Sequence, residues 1–184
     1  KVTGVQSCAL PISLARVLKK TPTVIGQIPS NDKSNTGVVR GVATVGEDWQ
    51  PWVYRYPGVV GPIPKIAESA NAVGMMVIAP EKDGVTRRMP LVIASDGKLF
   101  PSISMEILRI AAGDVSFQMK TGIAGVEKLR IPKYKMIDTD AKGNIWLDLK
   151  WKTPVYALHE ELPDLSGKVV IWSMTAAGLK RNVA

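Results

Sequence analysis

Arg87 and Arg88 stand side by side in Asp83-Gly84-Val85-Thr86-Arg87-Arg88-Met89-Pro90. A guanidinium forks onto a carboxylate or a phosphate, so this pair has the chemistry of an anion clamp. In extended backbone, neighbouring side chains point to opposite faces. One arginine can therefore meet solvent or a partner while the other lies against whatever covers the sheet. The same pair can equally serve as a structural anchor for its loop. A second feature is aromatic: Trp49, Trp52, Tyr54 and Tyr56 are interleaved with Pro51, Pro57, Pro62 and Pro64. Such a segment can be a rigid platform for a ligand or partner domain, or a loop packed onto its own core. Arg87, Arg88, Trp52 and Tyr54 are the candidate ligand-binding residues.

Catalytic chemistry finds less support. His159 is the one imidazole; it sits beside Glu160 and Glu161, without a Ser or Cys in a nucleophile-elbow pattern, and reads as a surface helix residue. A hydrolase or transferase would need a pocket joining His159 to a nucleophile, and the sequence offers none. Asp138-Thr139-Asp140-Ala141-Lys142-Gly143 has the outline of a calcium loop. Lys142 takes a ligand position, however, and Leu149 stands where a bidentate Glu should close the loop, so the segment reads as a hairpin turn. Gly167-Lys168 lacks the flanking residues of a phosphate loop, and no dinucleotide glycine fingerprint occurs. Neither a metal nor a cofactor is expected, and no catalytic residue is assigned.

The elements that must position these groups come from an ordinary globular composition. The chain has 184 residues, 46% hydrophobic and 22% charged, which excludes a disordered polymer. One Cys and one His exclude an internal disulfide and a Cys/His zinc site. The longest apolar runs, Val73–Ala79 and Val169–Trp172, are far short of the ~20 residues that span a bilayer. With 24 Lys+Arg against 16 Asp+Glu the net charge is +8. The basic residues are scattered along the chain and not clustered on one element, which argues against nucleic acid as the partner.

Apolar spacing predicts a helix over Leu14–Lys20, stopped by Pro22, then a short buried strand over Thr23–Ile28. A polar turn at Ser30–Asn35 precedes a strand over Val38–Val45. Asp48–Pro64 has too many prolines for a helix or a central strand and reads as a long ordered loop or edge segment. A short helix over Lys65–Ala70 and a buried strand over Val73–Ile78 follow. Val85–Met89 and Leu91–Ala94 are extended, and Asp96-Gly97 signals a hairpin. Ser102 caps a helix with Ile103, Ile107, Ile110 and Ala111 on one face, ended by Gly113. Strands are expected at Val126–Ile131, and at Met136–Asp138 and Ile145–Leu149 around the turn Ala141–Asn144. A short helix over Tyr156–Leu162 and a central strand over Gly167–Ser173 complete the reading. The fold class is mixed α/β with a largely parallel central sheet flanked by helices, incomplete at the N-terminus.

The segment 2–12, Val2-Thr3-Gly4-Val5-Gln6-Ser7-Cys8-Ala9-Leu10-Pro11-Ile12, resembles the translated product of a common sequencing adapter, with Ser7 where Thr is expected. It is set aside from fold reasoning, and the only Cys goes with it. Read as a secretory signal it lacks a basic stretch followed by a sustained apolar run. Both ends look cut, and a fragment of a longer protein is expected: residues 1–12 extraneous, 13–184 a partial domain.

Several pieces occur in one order that resembles a known family. Ala72-Val73-Gly74-Met75 leads to Asp83–Leu91, then to Leu99-Phe100-Pro101-Ser102-Ile103-Ser104-Met105-Glu106, and last to Gly167-Lys168-Val169-Val170-Ile171-Trp172-Ser173-Met174-Thr175-Ala176-Ala177-Gly178. This order is similar to that of the sensory extracellular domain associated with cyclases and histidine kinases, second type (CHASE type two). The likeness covers most of 13–184 and is loose over Val38–Pro62 and Val115–Lys135; Trp172 and Ser173 replace the usual small or aliphatic residues. It implies a non-enzymatic input domain on the extracytoplasmic (periplasmic) face of a membrane, anchored by segments this chain lacks. It also implies an intracellular output, a nucleotide cyclase or a protein kinase. The partner is then an unknown small molecule or envelope protein. The alternative is an envelope-side dimerisation module with the aromatic loop as interface, which would make a homodimer.

Overall fold

The computed structural model describes residues 5–39, 41–78, 81–148, 150, 154–156 and 161–171, with the backbone alone for 5–11. Two units are distinguished, Lys1–Leu149 and Lys150–Ala184. The first begins with α1 (Val5–Leu18), β1 (Val24–Ser30), β2 (Val42–Gly46), β3 (Arg55–Tyr56), β4 (Gly58–Val60), α2 (Pro64–Ala67) and β5 (Ala72–Met75). It continues with β6 (Arg88–Pro90), β7 (Val92–Ser95), β8 (Lys98–Pro101), α3 (Ile103–Ala111), β9 (Phe117–Gly122), β10 (Gly125–Ile131), β11 (Lys135–Asp138) and β12 (Asn144–Trp146).

β1 is central in a sheet ordered β4-β1-β5, parallel to β5 and antiparallel to β4. Its expected burial is only partial: Gln27 is buried, whereas Ile28 is exposed. Ile25 packs on Ala15, Leu18 and Ile66, which joins α1 and α2 to the sheet. The aromatic–proline stretch supplies β3 and β4, both at sheet edges, where a strand flanked by prolines loses no ladder bond. Gln27 does more than fill space. Its amide nitrogen donates to the Val38 carbonyl and its oxygen accepts from the Val38 N–H, holding the segment before β2 in place.

The second sheet, β11-β10-β9-β2, has one dry face. Alternation along β9 and β10 turns Phe117, Met119, Leu129 and Ile131 inward, where they meet Leu91, Val92 and Met105. Lys120 and Arg130 take the opposite, solvent face, by the same period of two. β7 and β8 form the expected hairpin at Asp96-Gly97, whose φ values of 49° and 68° are those of the turn that matches strand twist. β11 and β12 flank the turn at 141–144 but do not pair with each other: β11 joins β10, and β12 joins β6.

α3 starts as expected, with the Ser102 hydroxyl accepting the Met105 N–H at 3.3 Å. Its buried face differs from the one that apolar spacing suggests. Ile103, Ile107 and Ile110 are half-buried and Ala111 is exposed, while Met105, Glu106 and Arg109 face the core. A charge pair can take that place because Arg109 Nε and Nη2 lie 2.8 and 2.7 Å from one Glu106 oxygen. Arg109 Nη1 also donates to the Asp114 carbonyl at 2.7 Å, and the guanidinium lies over the Phe117 ring. Buried charges persist where partners replace water.

The chain is mixed α/β, but the largely parallel central sheet is corrected. Among the described residues five strand pairings are antiparallel and three are parallel. Three of the antiparallel pairs, β7-β8, β9-β10 and β10-β11, are joined by short turns, which link antiparallel neighbours without a helical crossover.

In the second unit the Asp164 carboxylate accepts the Ser166 N–H, and Lys168 N–H donates to the Leu165 carbonyl. The expected central strand over Gly167–Ser173 is not seen at 168–171: these residues lie in no strand, and Val169, Val170 and Ile171 are exposed. An apolar run becomes a central strand only beside strands that receive it, and the described part of this unit has none. Trp172 and Ser173 lie outside the described residues, as do His159 and the middle of the expected helix at 156–162.

Candidate functional site

The arginine pair sits where two short elements meet. A tight loop forms over 81–85: Asp83 Oδ1 accepts the Val85 N–H, Glu81 N–H donates to the Val85 carbonyl, and Gly84 N–H donates to the Glu81 carbonyl. This local bonding places Glu81 and Asp83 next to the side chain of Arg87, 3.2 and 2.7 Å from its guanidinium nitrogens. β6 then pairs antiparallel with β12, setting Arg88 across from Trp146. Arg88 reaches Glu81 through Nε at 3.1 Å and Asp140 through Nη1 at 3.3 Å, with its guanidinium over the Trp146 ring.

Asp140 is the hub of the opposite loop. Its carboxylate accepts the N–H groups of Lys142 and Asn144 and the Asn144 side-chain amide. Burial pushes its pKa up, but the bonds from Asn144, the Lys142 N–H and the Arg88 charge outweigh that and hold it below the usual carboxylate value. The bond from Arg87 and then the Val85 N–H hold Asp83 low as well. Bonding to Asp83 raises Arg87, and bonding to Glu81 raises Arg88. Both guanidiniums are thus matched by carboxylates, yet each side chain keeps about two-fifths of its surface exposed, 40% for Arg87 and 39% for Arg88.

The same loop connects the arginines to one of the aromatic candidates. Lys142 Nζ stands 5.3 Å from the Tyr54 ring centre, so Arg88, Asp140, Lys142 and Tyr54 form one continuous array. Trp52 is not part of it: with Trp49 it packs against the core under the second sheet. Tyr54 and Tyr56 pack against Val59, Met75 and Phe100. The structure therefore joins Arg87, Arg88 and Tyr54 and leaves Trp52 apart. Sequence reading missed Glu81, Asp140 and Lys142 as partners. Asp140-x-Lys142-Gly143-Asn144 was visible as a turn, but only the β6–β12 pairing carries it to the arginines.

A cleft of about 680 Å³ opens elsewhere, between Thr36–Val38, Gly61–Pro64 and Ala67–Glu68, and none of the four candidate residues lines it. Among the described residues no group of three His, Cys, Asp or Glu could hold a metal ion. No helix among them is long and apolar enough to cross a membrane.

The CHASE2 domain family matches residues 11–184, and the chain is a member of that family. CHASE2 domains are extracellular sensory domains of membrane signalling receptors, so this segment is not an enzyme. No curated protein and no solved structure matches the chain.

Proposed function

We propose that this chain is the extracytoplasmic, periplasmic-side input domain of a membrane-anchored receptor that controls an intracellular nucleotide cyclase or protein kinase. Its stimulus is a small carboxylate or phosphate that exchanges with Glu81 on Arg87 and Arg88. The observation that carries the anion reading is the geometry of Arg88, half-exposed and held from two sides by carboxylates on two separate loops. A free anion that takes the place of Glu81 uncouples the loop 81–85 from the 139–144 loop. That gives the domain two arrangements with different affinity for the ligand, which is what a switch requires. Tyr54 joins the site through Lys142.

Calorimetry with small carboxylates and inorganic phosphate tests the site. Binding is expected, lost in Arg88→Ala and tightened in Glu81→Gln, which removes the internal competitor. Absence of binding, or binding indifferent to Arg87→Ala and Arg88→Ala, would overturn the anion reading. The receptor reading is tested separately, by cyclase or kinase output of the full-length protein in cells carrying Arg88→Ala. Output independent of the domain would refute it.

A further inference from the structure

β2 forms one edge of the second sheet, and four of its five residues are exposed, Val45 at 63%. The phase of its hydrogen bonding is set by Glu47, whose N–H donates to the Thr121 carbonyl of the neighbouring β9. In a parallel ladder alternate residues turn their N–H and C=O to the same side. Ala43 and Val45 therefore bond towards β9, and Val42, Thr44 and Gly46 direct theirs outward to the open edge. An open row of donors and acceptors is a template for another strand.

Other edges of the described unit are short or blunted, and the open sides of β12 and β6 are three residues long. β11 carries Lys135 and Asp138, and β8 begins with Lys98 and ends with Pro101. β3 is two residues long and includes Arg55, and β5 is buried at every position. The outer side of β4 is taken by the 34–36 segment, through Val59 N–H to the Ser34 carbonyl and Thr36 N–H to the Val59 carbonyl. Val42-Ala43-Thr44-Val45-Gly46 has no charge, no proline and no bulge. Natural edges rarely stay that plain unless they are used.

We propose that β2 pairs with β2 of a second copy of this chain, antiparallel about Thr44. The register is self-complementary. The Thr44 groups bond each other reciprocally, and Val42 bonds Gly46 of the second copy, so each outward-facing group finds a partner. On the solvent face Val45 lies against Ala43 of the second copy, large beside small, and no charge meets a like charge. The row on that face then runs Lys120, Val45, Ala43 of the second copy, Gln118 of the second copy. Charge selects the direction: Glu47 and Asp48 follow the strand, so a parallel pair would stack four carboxylates, whereas an antiparallel pair sends them to opposite ends. The two second sheets become one continuous sheet across the two-fold axis. The pairing does not depend on the anion reading, because β2 and the arginine cluster share no residue.

Sedimentation equilibrium of the whole chain tests the register. The wild type is expected to dimerise. Ala43→Lys/Val45→Lys sets like charges opposite each other twice and should weaken the dimer by about tenfold or more, whereas Ala43→Lys/Val45→Glu sets opposite charges there and should restore it. Both positions changed in β2, 43 and 45, are solvent-exposed, and circular dichroism checks that each variant keeps the fold. A wild type that stays monomeric at high concentration would overturn the proposal. So would equal behaviour of the two double variants, or a dimer lost in Trp52→Ala/Tyr54→Ala but kept in Ala43→Lys/Val45→Lys.

Discussion

The buried pair in α3 sets up a test whose outcome follows from the geometry. Glu106 is 0% exposed and Arg109 3%. Arg109 Nε donates to one Glu106 oxygen, Nη2 lies 2.7 Å from the same oxygen, Nη1 donates to the Asp114 carbonyl, and the guanidinium lies over the Phe117 ring. Arg109→Met keeps most of the volume but leaves a carboxylate without its cation, and breaking one side of such a pair costs about 3–5 kcal/mol. Glu106→Leu/Arg109→Met removes both charges at once. Its deficit then includes the Asp114 carbonyl, an unmet acceptor worth about 1–3 kcal/mol. The double variant should therefore be more stable than Arg109→Met, although it carries one more change. Urea denaturation followed by tryptophan fluorescence and circular dichroism measures this. With a slope of about 2 kcal/mol per molar, the single variant lowers the midpoint by about 1.5–2.5 M, and the double variant recovers a large part of that. If Arg109→Met costs less than about 1 kcal/mol, or if the double variant is no more stable than Arg109→Met, Glu106 and Arg109 do not form a buried, mutually dependent pair.

Other predictions concern backbone and pH. Asp114 is held below the usual value of 3.8, chiefly by the Lys133 N–H and with help from Val115 and Ser116. A carboxyl depressed in the folded state stabilises above its unfolded pKa and loses that contribution as pH falls through the folded one. The thermal midpoint should therefore fall as pH drops below about 4, and Asp114→Asn should flatten that fall; an unchanged acid limb would contradict the assignment. Gly97 and Gly125 both have positive φ, but a Cβ at Gly97 meets nothing within 4 Å whereas one at Gly125 comes within 2.5 Å of the Ala141 carbonyl oxygen. Gly97→Ala should cost about 1 kcal/mol and Gly125→Ala clearly more, measured by the same denaturation. Gln27→Ala should cost about 1–3 kcal/mol and accelerate hydrogen exchange at the Val38 amide, because that N–H loses its buried acceptor. Unaltered exchange at Val38 would count against the clamp.

Much of the local structure was legible because it is decided within a few residues. Ser102 caps α3 through its own hydroxyl, and Asp96-Gly97 adopts positive φ at both turn positions. The prolines between Trp49 and Pro64 confine that stretch to edges. Less legible was anything that depends on partners distant in sequence. Phe117-Gln118-Met119-Lys120 alternates apolar with polar, but over so few residues that the pairing with β2 and β10 is what identifies β9 as a strand. The side chains buried by α3 were misassigned for a related reason. Apolar spacing favours Ile103, Ile107 and Ile110, but the Asp114 carbonyl and the Phe117 ring stand where they solvate Arg109 instead of water.

By itself, then, the sequence determined the mixed α/β class, the caps and turns, and the ordered motifs by which the sensory family is recognised. These are properties of short segments, where propensity, glycine and proline act on the backbone directly. Tertiary structure decided the rest. It turned a parallel sheet into mixed ones, brought Asp140 and Lys142 beside the arginines and Tyr54, and left β2 as an unprotected edge. Each of those outcomes depends on which distant strands pair, and a strand's own residues do not specify its neighbour. The arginines could be named from sequence as anion-binding groups, but whether a carboxylate already faces them is a property of the fold.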